Sequence, residues 1–173
     1  MGLNLLWMVS PHKIPSPDSK IAGSTSEGPT SDPSHVAELK RLIQRFPFWR
    51  KGRMLLAELA LTTDDVALAY AEAHALKLLA PKGSTAEGHA LSILGRCFLR
   101  RGDPSTALSL LTDSQRLLPA NATVTEERAA ALALLGHRSE ALALLREIPP
   151  QRLSKEGHAA LKWLSTSMNE RAS

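Results

Sequence analysis

Apolar residues recur at helical spacing along most of the chain, and the period-two alternation that marks β-strands is absent. The first apolar run lies on one face of a helix and consists of Val36, Leu39, Leu42, Ile43 and Phe46. Asp32 and Pro33 precede this run, and both residues are typical of a helix start, where free amides need acceptors and proline has no amide to leave unsatisfied. Pro47 follows it, so the pattern predicts a helix over about 33–46.

The apolar pattern also repeats at a fixed interval. Residues 101–111 align with residues 135–145, so that a glycine, an alanine and three leucines coincide. Pro47 and Pro81 are separated by the same interval, whereas Pro81 and Pro119 lie slightly farther apart, and the extra residues fall in the loop after Pro81. A period of about 34 residues indicates a stack of helical hairpins rather than a single irregular domain.

Local sequence chemistry marks where these helices begin and reverse. Residues 84–87 and 123–126 each have the S/T-x-x-E pattern of a capping box, which predicts a helix start at each place. Gly102 and Gly136 lie where a hairpin must reverse, and glycine adopts the left-handed cap without steric cost. The first hairpin has no such glycine, and we expect Asp64-Asp65 to take that role.

The predicted fold is all-α, with close packing between small residues of paired helices. Gly95 and Ala107 are small, and a bulky side chain at either position would force paired helices apart. We therefore expect both residues where two helices approach each other most closely. After the first helix, the predicted elements are hairpins over about 50–81, 85–119 and 123–150, and a capping helix over about 154–168.

The middle hairpin resembles the tetratricopeptide signature W-x2-L-G-x2-Y…A-x3-F…P. The residues that carry this resemblance are Leu91, Leu94, Gly95, Phe98, Gly102, Asp103, Ala107, Leu111 and Pro119. The hairpins over 50–81 and 122–153 match the signature less fully, and the resemblance covers about residues 34–169. It implies about three repeats in a right-handed α-α solenoid, whose function would be to hold another protein.

In the tetratricopeptide family, the first helix of each hairpin lines a concave groove that grips a partner segment. The residues that the resemblance places on this face are Lys51, Met54, Glu58, Leu61, His89, Ser92, Arg96, Leu99, Arg100, Thr123, Glu126, Ala130 and Ala133. Arg96 and Arg100 give the face a basic centre, so an acidic or carboxylate-ended segment is the expected ligand. Chaperone-binding members use a clamp of Lys, Asn and Arg that Met54 and Glu126 do not reproduce, so chaperone tails are not expected partners.

Composition and motifs give little support for catalysis. The chain is 43% hydrophobic, 22% charged and 4% aromatic, with a formal net charge of +4. Its single cysteine, Cys97, forms no internal disulfide, and its place near Gly95 predicts a buried structural thiol rather than a nucleophile. The six histidines have no zinc-motif spacing and the glycines form no phosphate-binding loop. We therefore expect a non-catalytic protein without cofactor or metal.

Adjacent carboxylates and one asparagine are interpreted as helix-start residues. Asp64-Asp65 and Glu126-Glu127 both lie near predicted helix starts, where negative charge suits the helix dipole. Asn121 begins an N-x-T sequon, but without a convincing secretory signal it is interpreted as a turn or cap residue.

The segment 40–53 is basic and carries aromatic residues. Its cations are Lys40, Arg41, Arg45, Arg50, Lys51 and Arg53, and its aromatic residues are Phe46, Phe48 and Trp49. The favoured interpretation is that the aromatic rings pack the first helix on the next while the charges are solvated. The alternative is a peripheral membrane or assembly role at an anionic surface, using this segment and the apolar start of the chain. A nucleic-acid partner is not expected.

The two ends of the chain differ in composition from its centre. Residues 1–31 are rich in Pro, Ser, Gly and Thr, which predicts a disordered leader before a repeat domain over 32–169 and a frayed end over 170–173. The apolar start, residues 3–9, lacks the basic region of a signal peptide, and no stretch approaches the ~20 apolar residues that span a bilayer. These features predict a cytoplasmic protein.

Overall fold

The computed structural model describes residues 33–169, and the predicted leader and frayed end lie outside the described residues. Within this range the structure contains helices and no strand, which confirms the all-α prediction. The helices are α1 (Pro33–Arg45), α2 (Arg50–Thr62), α3 (Val66–Leu79), α4 (Thr85–Arg100), α5 (Pro104–Leu117), α6 (Ala122–Leu134), α7 (Arg138–Glu147) and α8 (Lys155–Asn169), with a 3₁₀ turn at Pro150–Arg152.

Helices α2–α3, α4–α5 and α6–α7 form the three predicted hairpins, and α8 follows as the predicted last helix. Each buried cluster contains residues from one hairpin and from the first helix of the next element. Ala69 of α3 packs in a cluster with Ile93 of α4, Leu111 of α5 packs with Val124 of α6, and Leu145 of α7 packs with Leu164 of α8. The core is therefore a series of shared interfaces along a stack, as expected for a solenoid.

The hairpins reverse through residues with left-handed backbone at repeat-equivalent positions. Gly102 and Gly136 have φ of 76° and 88°, and Asp64, the counterpart of these glycines in the first hairpin, has φ of 60°. Aspartate tolerates this conformation better than most residues because its short polar side chain can bond locally. The expectation that Asp64-Asp65 replaces the missing glycine is confirmed, since the Asp65 carboxylate also caps α3 by accepting from the Leu68 amide at 3.0 Å.

We expect Gly102→Ala to lower the free energy of unfolding by about 1–2 kcal/mol, because an L side chain is disfavoured in the left-handed region. No atom lies within 4 Å of a Cβ built at Gly102, so the cost would come from the backbone alone. Gly102→Asn is the matched variant and should cost less, since asparagine visits this region more readily. Urea unfolding of both variants provides the test, and equal stability of Gly102→Ala and the wild type would contradict the explanation.

The capping box predicted at residues 84–87 lies at the start of α4, and α5 also begins with a side-chain cap. The Ser84 hydroxyl caps α4 by accepting from the Glu87 amide at 3.2 Å, and Asp103 caps α5 by accepting from the Thr106 amide at 3.0 Å. The capping box predicted at residues 123–126 is wrong, because α6 begins at Ala122 and the cap is the Asn121 side chain, which accepts from the Val124 amide at 3.2 Å. The interpretation of Asn121 as a cap is thus confirmed.

Helices α4 and α5 are in close contact at Gly95. A Cβ built at Gly95 would lie 2.6 Å from Leu111 Cγ and 3.4 Å from the Ala107 carbonyl oxygen. Leu111 and Ala107 are fully buried, so neither has room to move away. The predicted need for a small residue at Gly95 is confirmed.

Candidate partner-binding groove

The predicted groove residues fall into rows across the first helices of the three hairpins. The hairpins follow one another in a common register, so each position in α2 has a counterpart in α4 and in α6. The rows of the predicted face are Lys51, His89 and Thr123; Met54, Ser92 and Glu126; Glu58, Arg96 and Ala130; and Leu61, Leu99 and Ala133. The repeat thus places equivalent side chains from three helices side by side.

The predicted face contains exposed, half-buried and buried side chains. Lys51, Arg100, Thr123 and Ala130 are exposed, while Met54, Glu58, His89, Leu99, Glu126 and Ala133 are half-buried. Ser92 is buried at 7% exposure, and Leu61 is 1% exposed within the core cluster of the first hairpin. The assignment of Leu61 to the binding face is therefore wrong, because the side chain points into the core.

Arg96 joins all three hairpins through two ion pairs. Its NH1 donates to Glu58 Oε2 of α2 at 2.5 Å, and its Nε donates to Glu127 Oε1 of α6 at 3.0 Å. Arg100 is also paired, since its NH1 contacts Asp64 Oδ1 at the reversal of the first hairpin. The two guanidinium groups of the predicted basic centre thus have carboxylate partners within the chain.

Glu127 is the residue of this network that the sequence interpretation missed. Its side chain is 13% exposed, and its Oε2 accepts from the Ser92 hydroxyl at 3.2 Å. Burial raises the pKa of Glu127 to about 7 from an ordinary 4.5, although the nearby Arg96 guanidinium and the Ser92 hydrogen bond act to lower it. The interpretation of Glu127 as a helix-start residue that serves α6 is wrong, because its carboxylate bonds to α4.

A signal for Glu127 was present in the sequence. Its counterparts in the other two hairpins are Leu55 and Ile93, and Ile93 is fully buried. A charged residue in an apolar row of a repeat is destabilising unless it is paired, so the alignment of rows alone points to a buried partner.

Glu126 contacts the start of the last helix rather than the start of α6. Its Oε1 accepts from the Ser154 amide at 2.8 Å, and its Oε2 accepts from the Ser154 hydroxyl at 2.5 Å. The Ser154 hydroxyl in turn accepts from the Gly157 amide at 2.9 Å in the first turn of α8. The interpretation of Glu126 as a cap of α6 is wrong, and the carboxylate instead fixes the start of α8 against the third hairpin.

Comparisons with family models and with curated proteins found no match for this chain. Among solved structures, the chain is similar to MamA, with a TM-score of 0.58 and 14% identity over 79% of this chain and 88% of that one. It is also similar to TTC0263, a thermophilic TPR protein in Thermus thermophilus, with a TM-score of 0.56 and 26% identity over 77% of this chain and 72% of that one. The fold is a tetratricopeptide-like repeat.

The basic segment lies at the first corner of this tetratricopeptide-like stack. Phe48 is 78% exposed, so the prediction that its ring packs α1 on α2 is wrong, although Phe46 and Trp49 are half-buried. Arg53 is held within the chain, since its NH1 donates to Glu72 Oε2 at 2.6 Å and its Nε donates to the Pro47 carbonyl at 3.0 Å. The segment therefore offers fewer exposed cations than its sequence suggests.

Cys97 is buried in the interface between the first and second tetratricopeptide-like hairpins. The side chain has no exposed surface, and burial raises the pKa of its thiol despite the nearby Arg101 and Arg96. Its counterparts, Leu59 and Ala131, are also buried, and the prediction that the Cys97 thiol is buried is confirmed. Between residues 33 and 169, no group of three or more His, Cys, Asp or Glu side chains is placed to hold a metal ion. In the same range, no helix is both long and apolar enough to cross a membrane.

Proposed function

We propose that this protein is a non-catalytic scaffold that holds a segment of a partner protein against the first helices of its hairpins. The tetratricopeptide-like fold supports this proposal, because helical-repeat stacks present an extended concave surface that is suited to binding. The observation that carries it is the Glu58–Arg96–Glu127 link, which joins α2, α4 and α6 on the proposed binding face, where Thr123 and Ala130 are exposed.

The proposed partner segment has mixed rather than strongly acidic character. The sequence favours an acidic ligand because of Arg96 and Arg100, but each of these cations already has a carboxylate partner. An acidic segment would have to displace Glu58 or Asp64, whose side chains are 44% and 79% exposed. Half-buried Met54 and Leu99 instead offer apolar contact beside these ion pairs. A cytoplasmic location remains part of the proposal.

A site-specific photocrosslinker at residue 130 tests the proposal and identifies the partner. Ala130 is exposed in the groove row, and the same crosslinker at Ser109, which is exposed on α5, is the matched control. We expect a defined protein to be captured from residue 130 and not from residue 109. Equal capture from both positions would contradict a groove.

The captured partner, once purified, allows a quantitative test. Ala130→Tyr fills the groove without touching the core, so we expect the Kd measured by calorimetry to rise at least about tenfold, equivalent to about 1.4 kcal/mol. Ser109→Tyr adds the same ring on α5 and should leave the Kd unchanged. An unchanged Kd for Ala130→Tyr would reject the groove as the binding surface.

A further inference from the structure

One guanidinium on the proposed binding face is shared by two carboxylates. Arg96 contacts Glu58 at 2.5 Å and Glu127 at 3.0 Å, so the fully ionised group carries one surplus negative charge. A single cation cannot neutralise two anions, and two carboxylates that share a site resist simultaneous ionisation. The cluster therefore has a physical reason to take up a proton.

The two carboxylates differ in their access to water. The Glu58 side chain is 44% exposed, whereas that of Glu127 is 13% exposed and occupies a row in which the other hairpins carry Leu55 and Ile93. Water stabilises the charge on Glu58, and burial penalises the charge on Glu127. The proton therefore belongs on Glu127.

Ser92 equips the site for both protonation states of Glu127. Its hydroxyl lies 3.2 Å from Glu127 Oε2 and donates to the ionised carboxylate. A serine hydroxyl also has two lone pairs and can rotate, so it can accept a hydrogen bond from the protonated carboxyl group. Glu127 Oε2 therefore has a hydrogen-bond partner in both protonation states, and Arg96 remains paired with Glu58 in both.

We propose that Glu58, Arg96, Glu127 and Ser92 form a proton-binding site across the three hairpins, so that protonation of Glu127 stabilises the folded stack against unfolding. The bound proton also changes the charge of the Glu58–Arg96–Glu127 triad from −1 to zero. This inference does not depend on the proposed function or on the identity of any partner.

The surrounding charges set the direction of the pH dependence. The titratable groups that face Glu127 are Arg96 from α4, Glu58 from α2 and Glu126 from α6; burial is the largest cause of its raised pKa, and the two glutamates also raise it. With a folded pKa of about 7 against an ordinary 4.5, the folded state binds more protons than the unfolded state between these values. The stabilisation is complete below pH 4.5 and is lost as the pH rises through about 7.

Carbon-13 NMR of the Glu127 side-chain carboxyl in the full wild-type chain tests the site directly. The resonance is assigned by its loss in Glu127→Gln, and we expect it to titrate with a midpoint above pH 6. Glu58→Gln should lower this midpoint, because Arg96 would then serve Glu127 alone. A wild-type midpoint below pH 5 would overturn the proposal, whatever the stability of the variants.

Urea unfolding between pH 5 and pH 8 tests the link to stability. The ordinary pKa of 4.5 and the folded pKa of about 7 predict that Glu127 contributes an increase of about 70-fold in the wild-type unfolding constant over this range, and that this increment is absent from Glu127→Gln. Glu147→Gln is the control, because Glu147 is exposed on α7, and it should retain the wild-type pH dependence. The same pH dependence in Glu127→Gln and the wild type would reject the proposal.

Discussion

Replacing Gly95 with leucine is expected to lower the free energy of unfolding by about 3 kcal/mol or more, because the side chain would be inserted between α4 and α5 where no space exists. Even a Cβ at this position would lie 2.6 Å from Leu111 Cγ and 2.9 Å from Leu111 Cδ2. Gly95→Ala should cost less, since alanine regains about 0.5–1 kcal/mol of helix stability relative to glycine. Thermal and urea unfolding of both variants measure the difference.

Two controls separate overpacking from a general effect of bulk. Ala130→Leu adds a similar volume at an exposed position of α6 and should change stability by less than about 0.5 kcal/mol. Leu111→Ala alone should cost about 2–5 kcal/mol as a buried cavity, but in combination with Gly95→Ala the new methyl group occupies part of that cavity. We expect the double variant to lose less free energy of unfolding than the sum of the losses in the two single variants. Losses that simply add would contradict a close contact between Gly95 and Leu111.

Arg96→Met is expected to lower the free energy of unfolding by about 1–1.5 kcal/mol at pH 8, because the buried Glu127 carboxylate loses its cation and, with a pKa of about 7, must take up a proton instead. The cost should shrink at pH 5, where Glu127 is protonated and needs no cation. Arg100→Met is the matched control: its partner Asp64 is 79% exposed, so its loss should cost less than about 1 kcal/mol. Urea unfolding of both variants at the two pH values tests this difference.

The double variant Arg96→Met with Glu127→Leu extends this test. It replaces the buried ion pair with apolar groups of the kind found in the other hairpins, and such replacements are often neutral or stabilising. We therefore expect it to recover most of the stability lost in Arg96→Met. A double variant as unstable as Arg96→Met would show that the unpaired carboxylate is not the cause of the loss.

Sequence spacing predicted the hairpins because their determinants are local. The glycines at 102 and 136 and the capping residue Ser84 each act within a short stretch of chain. Even the exception at Asp64 was predictable, since a reversal without glycine needs a residue that tolerates positive φ. The α6 start was misplaced because two candidate caps, Asn121 and Thr123, lie close together in the sequence.

The groove was predicted less completely because its chemistry depends on contacts between hairpins. Arg96 looks like a free cation when α4 is considered alone, yet its two partners belong to the preceding hairpin and to the following one. The rows of the repeat contain part of this information, since Glu58 and Arg96 are neighbours of opposite charge. The exposure of Phe48 has no comparable signal, because it depends on the direction of one loop residue at the corner between α1 and α2.

The reversal at Asp64 makes the three hairpins unequal as building blocks. At the equivalent places Gly102 and Gly136 supply only backbone freedom, whereas Asp64 supplies a left-handed turn and also contacts Arg100 of the following hairpin. A chain built by duplicating the second hairpin in place of the first would keep its turn and lose this contact. This turn residue is therefore one of the features that favour the natural order of the hairpins, and shuffled arrays of these modules would lose its small contribution.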